Sequence, residues 1–310
     1  MVKEYIYRII KKWWQACSIF FKIMIPISIL IKILNETNLM PIIGNIFEPL
    51  MYPLGLPGEM SLVWVTAMLS NIYGGLLALS SVYANNPLTI AQITTLTTLI
   101  LFSHTFLIEI PICKKAGVKV LPTFIIRFVG GYIYAILINL IYTITNTNQT
   151  IVDLPIISQP NQTLVEWGIS EVQKYFSICL IVMSLIITLD VLERIRVISL
   201  INKALYPIIK FFGISEKVMP LTLIGMTLGL AYGGGLIIAE SKEKDISKKD
   251  IFLSLALLSL FHSIIEDSLL MIGVGADWVG VFVIRFIYTI ILMLLIKKLV
   301  ALIPMKYLVD

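Results

Sequence analysis

The sequence predicts an all-α integral membrane protein, with six transmembrane helices and two re-entrant helical hairpins in an inverted-topology repeat. Three observations carry that prediction. Of the 310 residues, 58% are hydrophobic and 14% charged, whereas a soluble domain carries about 25% charged residues. Several apolar runs of about 20 residues are each long enough to cross a hydrocarbon core about 30 Å thick. The chain also aligns with itself on a shift of 158 residues, and its basic residues are distributed oppositely in the two halves.

The shift of 158 pairs His104 with His262, Glu109 with Asp267 and Gly117 with Gly275. It lays "FIIRF" (124–128) on "FVIRF" (282–286), so Arg127 falls on Arg285. Pro49 and Gly55 fall on Pro207 and Gly213. The chain has 2 histidines, and they occupy equivalent places. So many matches at one offset mean an internal duplication. Two glycine motifs, "NIYGGLLALSSV" (71–82) and "LAYGGGLIIAES" (230–241), align at 159, which implies a one-residue slip at the break.

Residues 1–14 are basic and aromatic, and no cleavage site follows them. They read as an interfacial amphipathic helix before an uncleaved first span. Repeat 1 covers 15–144, an extracytoplasmic linker covers 145–172, and repeat 2 covers 173–302 in inverted orientation. In each repeat an apolar helix (16–34; 175–193) leads to an amphipathic segment (39–56; 197–213). A glycine-broken stretch follows (58–84; 216–241), then two long helices (88–112 and 121–144; 250–272 and 279–302). The linker is rich in Asn, Thr and Pro, as a solvent-facing loop is. Cys17, Cys113 and Cys179 lack CxxC spacing and read as small buried hydrophobes.

Charge sets the orientation. No Lys or Arg lies between Lys32 and Lys114, while the matching window of repeat 2 is basic from Arg194 to Lys249. The short loops are biased the other way: "CKKAGVKV" (113–120) has three lysines and "IGVGADWV" (272–279) has none. Cytoplasmic loops carry the positive excess, so the repeats are inverted and both termini are cytoplasmic. Lysines flank the second glycine motif on both sides, so that segment enters the membrane and returns; its twin enters from the outer face. Lys32 and Lys174 fall near the outer surface, where they are expected to snorkel.

Non-helical backbone at membrane depth is tolerated only inside protein or along a cavity. Paired broken segments in inverted repeats mark the central site of secondary transporters. The expected function is alternating-access transport of a small polar solute across a cell inner membrane. A proton or a sodium ion would serve as coupling ion, and no cofactor is expected. Two other readings stay open: a divalent metal-ion permease, and a non-transporting membrane partner or signalling protein. The chain has no HExxH or GxSxG motif, so it is not expected to be an enzyme. The expected partners are the lipid bilayer, the solute and further copies of the chain in a homo-oligomer. The net charge of +5 reflects loop placement and implies no nucleic acid.

"LGLPGEMSLVWVTAMLSNIYGGLLAL" (54–79) and "FSHTFLIEIPICKKAGVKV" (102–120) resemble the nucleoside-recognition "Gate" domain family, which is related in fold to concentrative nucleoside transporters. "LAYGGGLI" and "FHSIIEDSLLMIGVG" resemble a second copy. The resemblance implies an elevator-like symporter, in which a hairpin-bearing domain moves against a scaffold, and a nucleoside-like solute. The Gln-x-Glu and Asn-Glu-Phe motifs that hold nucleosides in those transporters are absent from this sequence.

Candidate site residues cluster at equivalent places. His104, Thr105 and Glu109, with His262, Ser263, Glu266 and Asp267, place ionisable groups deep in long helices, where charge is costly and therefore points to function. Thr105–Glu109, Ser263–Asp267 and His262–Glu266 are i,i+4 pairs expected to share helix faces. The histidines either bind solute or a coupling proton, or hydrogen-bond backbone freed by a helix break. Arg127 and Arg285 are expected to form structural salt bridges with Glu109 and Asp267. Tyr73, Gly74 and Gly75, with Tyr232, Gly233 and Gly234, are expected to form hairpin turns that wall the site, since glycine permits close backbone approach, and Asn71, in one hairpin arm, is expected to add a side-chain ligand. No metal ligands are assigned in the transporter reading; the permease reading would use the histidines and the three carboxylates.

Overall fold

The computed structural model describes residues 2–37, 39–154, 163–243 and 246–310. The first half holds α1 (Val2–Glu36), α2 (Leu39–Met51), α3 (Met60–Leu69), α4 (Ile72–Val82), α5 (Ile90–Ser103), α6 (Phe106–Lys115), α7 (Val120–Phe124) and α8 (Gly130–Thr145). The second holds α9 (Leu164–Arg194), α10 (Val197–Phe211), α11 (Met219–Leu228), α12 (Leu230–Glu243), α13 (Lys248–Leu260), α14 (Glu266–Gly273) and α15 (Arg285–Leu302). Among the described residues there is no β-strand; isolated bridges join Thr89 to Ile151 and Val118 to Val309.

Among the described residues, four helical stretches are long and apolar enough to cross a membrane: Ile90–Lys115, Val120–Thr145, Leu164–Arg194 and Val279–Leu302. Their outer faces are apolar at helical spacing. Ile287, Ile291, Leu295 and Leu299 form one exposed stripe, and Ile133, Leu137, Leu140 and Ile144 another. In water such contiguous apolar surface would drive association. In lipid it is the natural exterior. The chain is a multi-pass membrane protein.

Backbone geometry repeats at the offset of 158. Left-handed φ angles occur at Gly55 and Gly213 (65° and 83°), Thr105 and Ser263 (58° and 46°), and Gly117 and Gly275 (94° and 97°). A π-helical turn precedes each closing helix, at Ile125–Val129 and Val279–Ile284. Helices α3 and α4 pack on one another across a short break, as do α11 and α12.

Several expectations change. Helix α1 runs unbroken from Val2 to Glu36, so residues 2–14 are continuous with the first apolar helix rather than a separate element. Helix α9 starts at Leu164, where Thr163 and Glu166 form a reciprocal capping box, so the linker is shorter than 145–172; its residues 155–162 lie outside the described set. The start of the linker is not free: Asn148 and Thr150 accept hydrogen bonds from the first amides of α5, which would otherwise lack partners. Lys174 is 3% exposed and paired with Glu171, so it is buried against α1 rather than snorkelled. The three cysteines are buried, free thiols.

Candidate functional site

The two long helices expected at 88–112 and 250–272 are each broken in the middle, and the breaks build the site. Helix α5 ends at Ser103; His104 is extended, Thr105 is left-handed, and α6 resumes at Phe106. Helix α13 ends at Leu260, and α14 resumes at Glu266 after the left-handed Ser263. Each break frees backbone groups, and a hairpin satisfies them. The Thr105 amide donates to the Ala67 carbonyl at 3.0 Å, and the Ile264 amide to the Met226 carbonyl at 3.0 Å. The Trp64 indole also donates to Ser103 Oγ at 2.6 Å, tying α3 to the first break.

The hairpins are bent just before the Tyr-Gly-Gly motifs rather than at them. In the first, the bend is at Ser70 and Asn71, and Asn71 caps α4 by accepting from the Gly74 amide at 2.9 Å. In the second it is at Gly229, with φ 105°. Gly74, Gly75, Gly233 and Gly234 are therefore helical, in the first turns of α4 and α12. Their function is close approach: a Cβ on Gly75 would stand 2.6 Å from the Cβ of Ala67, and one on Gly233 would run into Gly225. Gly75 and Gly233, like Ala67 and Gly225, are 158 apart, whereas the ends of α3 and α11 and the docking carbonyls Ala67 and Met226 are 159 apart, so the one-residue offset lies at the bend.

The breaks bring the histidines together. His104 Nδ1 lies 3.0 Å from the Ile100 carbonyl and His262 Nδ1 2.7 Å from the Leu258 carbonyl. A carbonyl has no proton to give, so each Nδ1 carries the hydrogen and each neutral ring points a lone pair from Nε2. The two Nε2 atoms face each other at 3.2 Å. Two lone pairs at that distance repel unless a cation lies between them. The carboxylates cross over: Glu109 Oε1 is 3.5 Å from His262 Nε2, and Asp267 Oδ2 is 3.8 Å from His104 Nε2. Both histidines and Glu109 are buried.

Behind this centre stand two arginines with no exposed surface. Arg127 donates from Nε to the Phe102 carbonyl at 2.9 Å, from Nη2 to the His104 carbonyl at 2.7 Å, and from Nη1 to Glu109 Oε2. The salt bridge expected there is present. Arg285 makes the equivalent first contact, to the Leu260 carbonyl at 3.1 Å. Its Nε and Nη1 have no hydrogen-bond partner among the described residues, and the expected bridge to Asp267 is not formed. Its guanidinium lies instead over the rings of Phe261 and Phe102, at 4.9 and 5.2 Å.

Comparison with known proteins places part of the chain beside a known family. Residues 17–152 match the Gate family model, described as nucleoside recognition. The chain is also similar to the uncharacterized membrane protein YvoD of Bacillus subtilis (strain 168), 24% identical over 265 residues, covering 82% of this chain and 81% of that protein. No solved structure matches.

The region matched by the Gate model supplies His104, Thr105, Glu109 and Arg127 to the centre; the second half supplies His262, Ser263, Asp267 and Arg285. Glu266 does not join them. Because the helix is interrupted, His262 and Glu266 share no helical face, and Glu266 Oε1 accepts from the Tyr73 hydroxyl at 3.3 Å instead. Tyr73 also lines a largely apolar cavity of about 250 Å³ with Leu76, Ser80, Ile178, Leu185 and Leu269, between α4, α9 and α14. The side chain of Tyr232 lies outside the described set. Sequence reasoning missed the Ala67 and Met226 carbonyls that hold the breaks; main-chain acceptors leave no signature in residue type.

Proposed function

We propose that the protein is a secondary transporter carrying a small polar solute by alternating access, with the histidine–carboxylate centre binding the cargo or its coupling cation. The observation that carries this reading is the approach of the only two histidines, Nε2 to Nε2, at two helix breaks that each dock on a hairpin. Helix breaks and buried ionisable groups are costly in lipid and are kept where a solute or ion path runs. The Gate family's description, nucleoside recognition, makes nucleosides the first solute class to test.

On this reading there are six spans: α1, α5–α6, α7–α8, α9, α13–α14, and α15 with its π turn. Hairpins α3–α4 and α11–α12 enter from opposite faces, and both termini are cytoplasmic, as the lysine distribution supports. Hairpin arms of 10 to 14 residues are about 15–21 Å long, which reaches the midplane without crossing. The hairpins move with the breaks they hold against a scaffold of spanning helices, elevator fashion.

Purified protein in liposomes tests this. With an imposed proton or sodium gradient, uptake of one solute from a panel of nucleosides and other small polar compounds is expected to be saturable and gradient-driven. His104→Ala and His262→Ala are each expected to bring it to background. Absence of uptake under every gradient, or uptake indifferent to both substitutions, overturns the reading; the first outcome favours a non-transporting membrane partner.

A further inference from the structure

The two facing lone pairs require a positive centre between them, and the geometry points to which one. We infer that His104 and His262, with Glu109 and Asp267, bind a first-row divalent metal ion such as Zn²⁺, Mn²⁺ or Co²⁺. The role of that ion as cargo or coupling ion rests on the transport reading; the binding site itself does not.

Ring nitrogens about 2.0–2.1 Å from a zinc ion at a tetrahedral angle stand about 3.3–3.4 Å apart. The observed Nε2–Nε2 distance is 3.2 Å. A carboxylate oxygen about 2.0–2.2 Å from the same ion falls at a similar distance from a nitrogen ligand, and Glu109 Oε1 is 3.5 Å from His262 Nε2. One ligand atom from each of His104, His262 and Glu109 lies within 4.8 Å of the others. Asp267, 3.8 Å from His104 Nε2, lies outside that group and would have to move in to act as a fourth donor.

The surroundings are those of a metal site. A ligating histidine almost always donates its other ring N–H to a carbonyl or carboxylate, which fixes ring orientation and tautomer. Both histidines do so, to equivalent carbonyls four residues back. Glu109 is held in place through its second oxygen by Arg127. Mixed imidazole and carboxylate donors suit Zn²⁺, Mn²⁺ and their neighbours, and the absence of thiolate argues against Cu⁺. The nearby Arg127 and Arg285 repel a cation, so binding is weaker than at a structural zinc site. That is the affinity a transported ion needs, since it must leave.

The test is a titration of the full-length protein in detergent with Co²⁺, following its visible ligand-field bands, with Zn²⁺ competition and thermal unfolding in parallel. One Co²⁺ per chain is expected, displaced by Zn²⁺, with a rise in unfolding temperature that a chelator reverses. His104→Ala and His262→Ala are expected to abolish the bands, while Glu266→Gln keeps them. Wild-type protein that gives no saturable bands and no chelator-reversible shift overturns the inference, even if the alanine variants fail to fold. So do folded alanine variants that bind as well as wild type. Metal binding without transport would overturn the proposed function alone; transport without metal binding would overturn the inference alone.

Discussion

In the first half of the molecule Arg127 uses all three of its guanidinium nitrogens, on two backbone carbonyls and on Glu109. In the second half Arg285 repeats one carbonyl contact and leaves two nitrogens without partners among the described residues. The backbone frame is the same, so the difference lies in the side chains. Asp267 stands where Glu109 stands, one methylene shorter, and turns towards His104 rather than the arginine. The first half is thus locked, and the second holds a buried cation and a carboxylate that are both available to something else. Duplication supplied two equal frames; their divergence made one a clamp and left the other adjustable.

The largest effect expected from this comparison is at the clamp. Glu109→Ala leaves Arg127 buried and uncompensated, and removing one partner of a buried ion pair costs about 3–5 kcal/mol. Arg127→Gln is expected to lower stability clearly more than Arg285→Gln, because it removes three hydrogen bonds rather than one. Chemical unfolding midpoints in mixed micelles check both. Equal losses at the two arginines would show that the two halves are clamped alike and remove the asymmetry.

A sharper version rebuilds the missing bridge. Asp267→Glu restores the length found at Glu109 and lets the carboxylate reach Arg285. Pairing a buried unsatisfied group recovers about 1–3 kcal/mol, so the variant is expected to be more stable than wild type. It is also expected to lose solute uptake and metal binding, since the carboxylate is withdrawn from His104. A rise in unfolding midpoint with unchanged uptake would show that Asp267 serves stability alone.

What the sequence disclosed follows the same division. Side-chain identity at one offset revealed the duplication, the histidine pair and the Arg127–Glu109 bridge, because these depend on which residue stands where. The helix breaks were hidden. They occur at His-Thr and His-Ser, with neither proline nor glycine, and a left-handed Thr105 or Ser263 is an exception to the usual steric preference of such residues. The glycines misled for a related reason: they look like a turn, but they serve the packing of helix on helix. The Arg285–Asp267 bridge was expected by symmetry and is not formed; Asp267 is one methylene shorter than Glu109, and pairing by type takes no account of reach.

The smallest effect concerns Glu266, which the interrupted helix sends away from the centre to Tyr73. Tyr73→Phe removes one hydroxyl–carboxylate hydrogen bond between α4 and α14. Interhelical hydrogen bonds in membrane proteins average about 0.6 kcal/mol and reach at most about 1.7 kcal/mol, so the loss of stability is expected to be in that range. The functional consequence is the more telling readout. If α4 moves relative to α14 during transport, this bond breaks in every cycle, and its removal should change the rate of uptake while leaving Co²⁺ binding intact. A variant with normal uptake would show that α4 and α14 travel as one body, which would place the moving boundary elsewhere, between the hairpins and the spanning helices that face lipid.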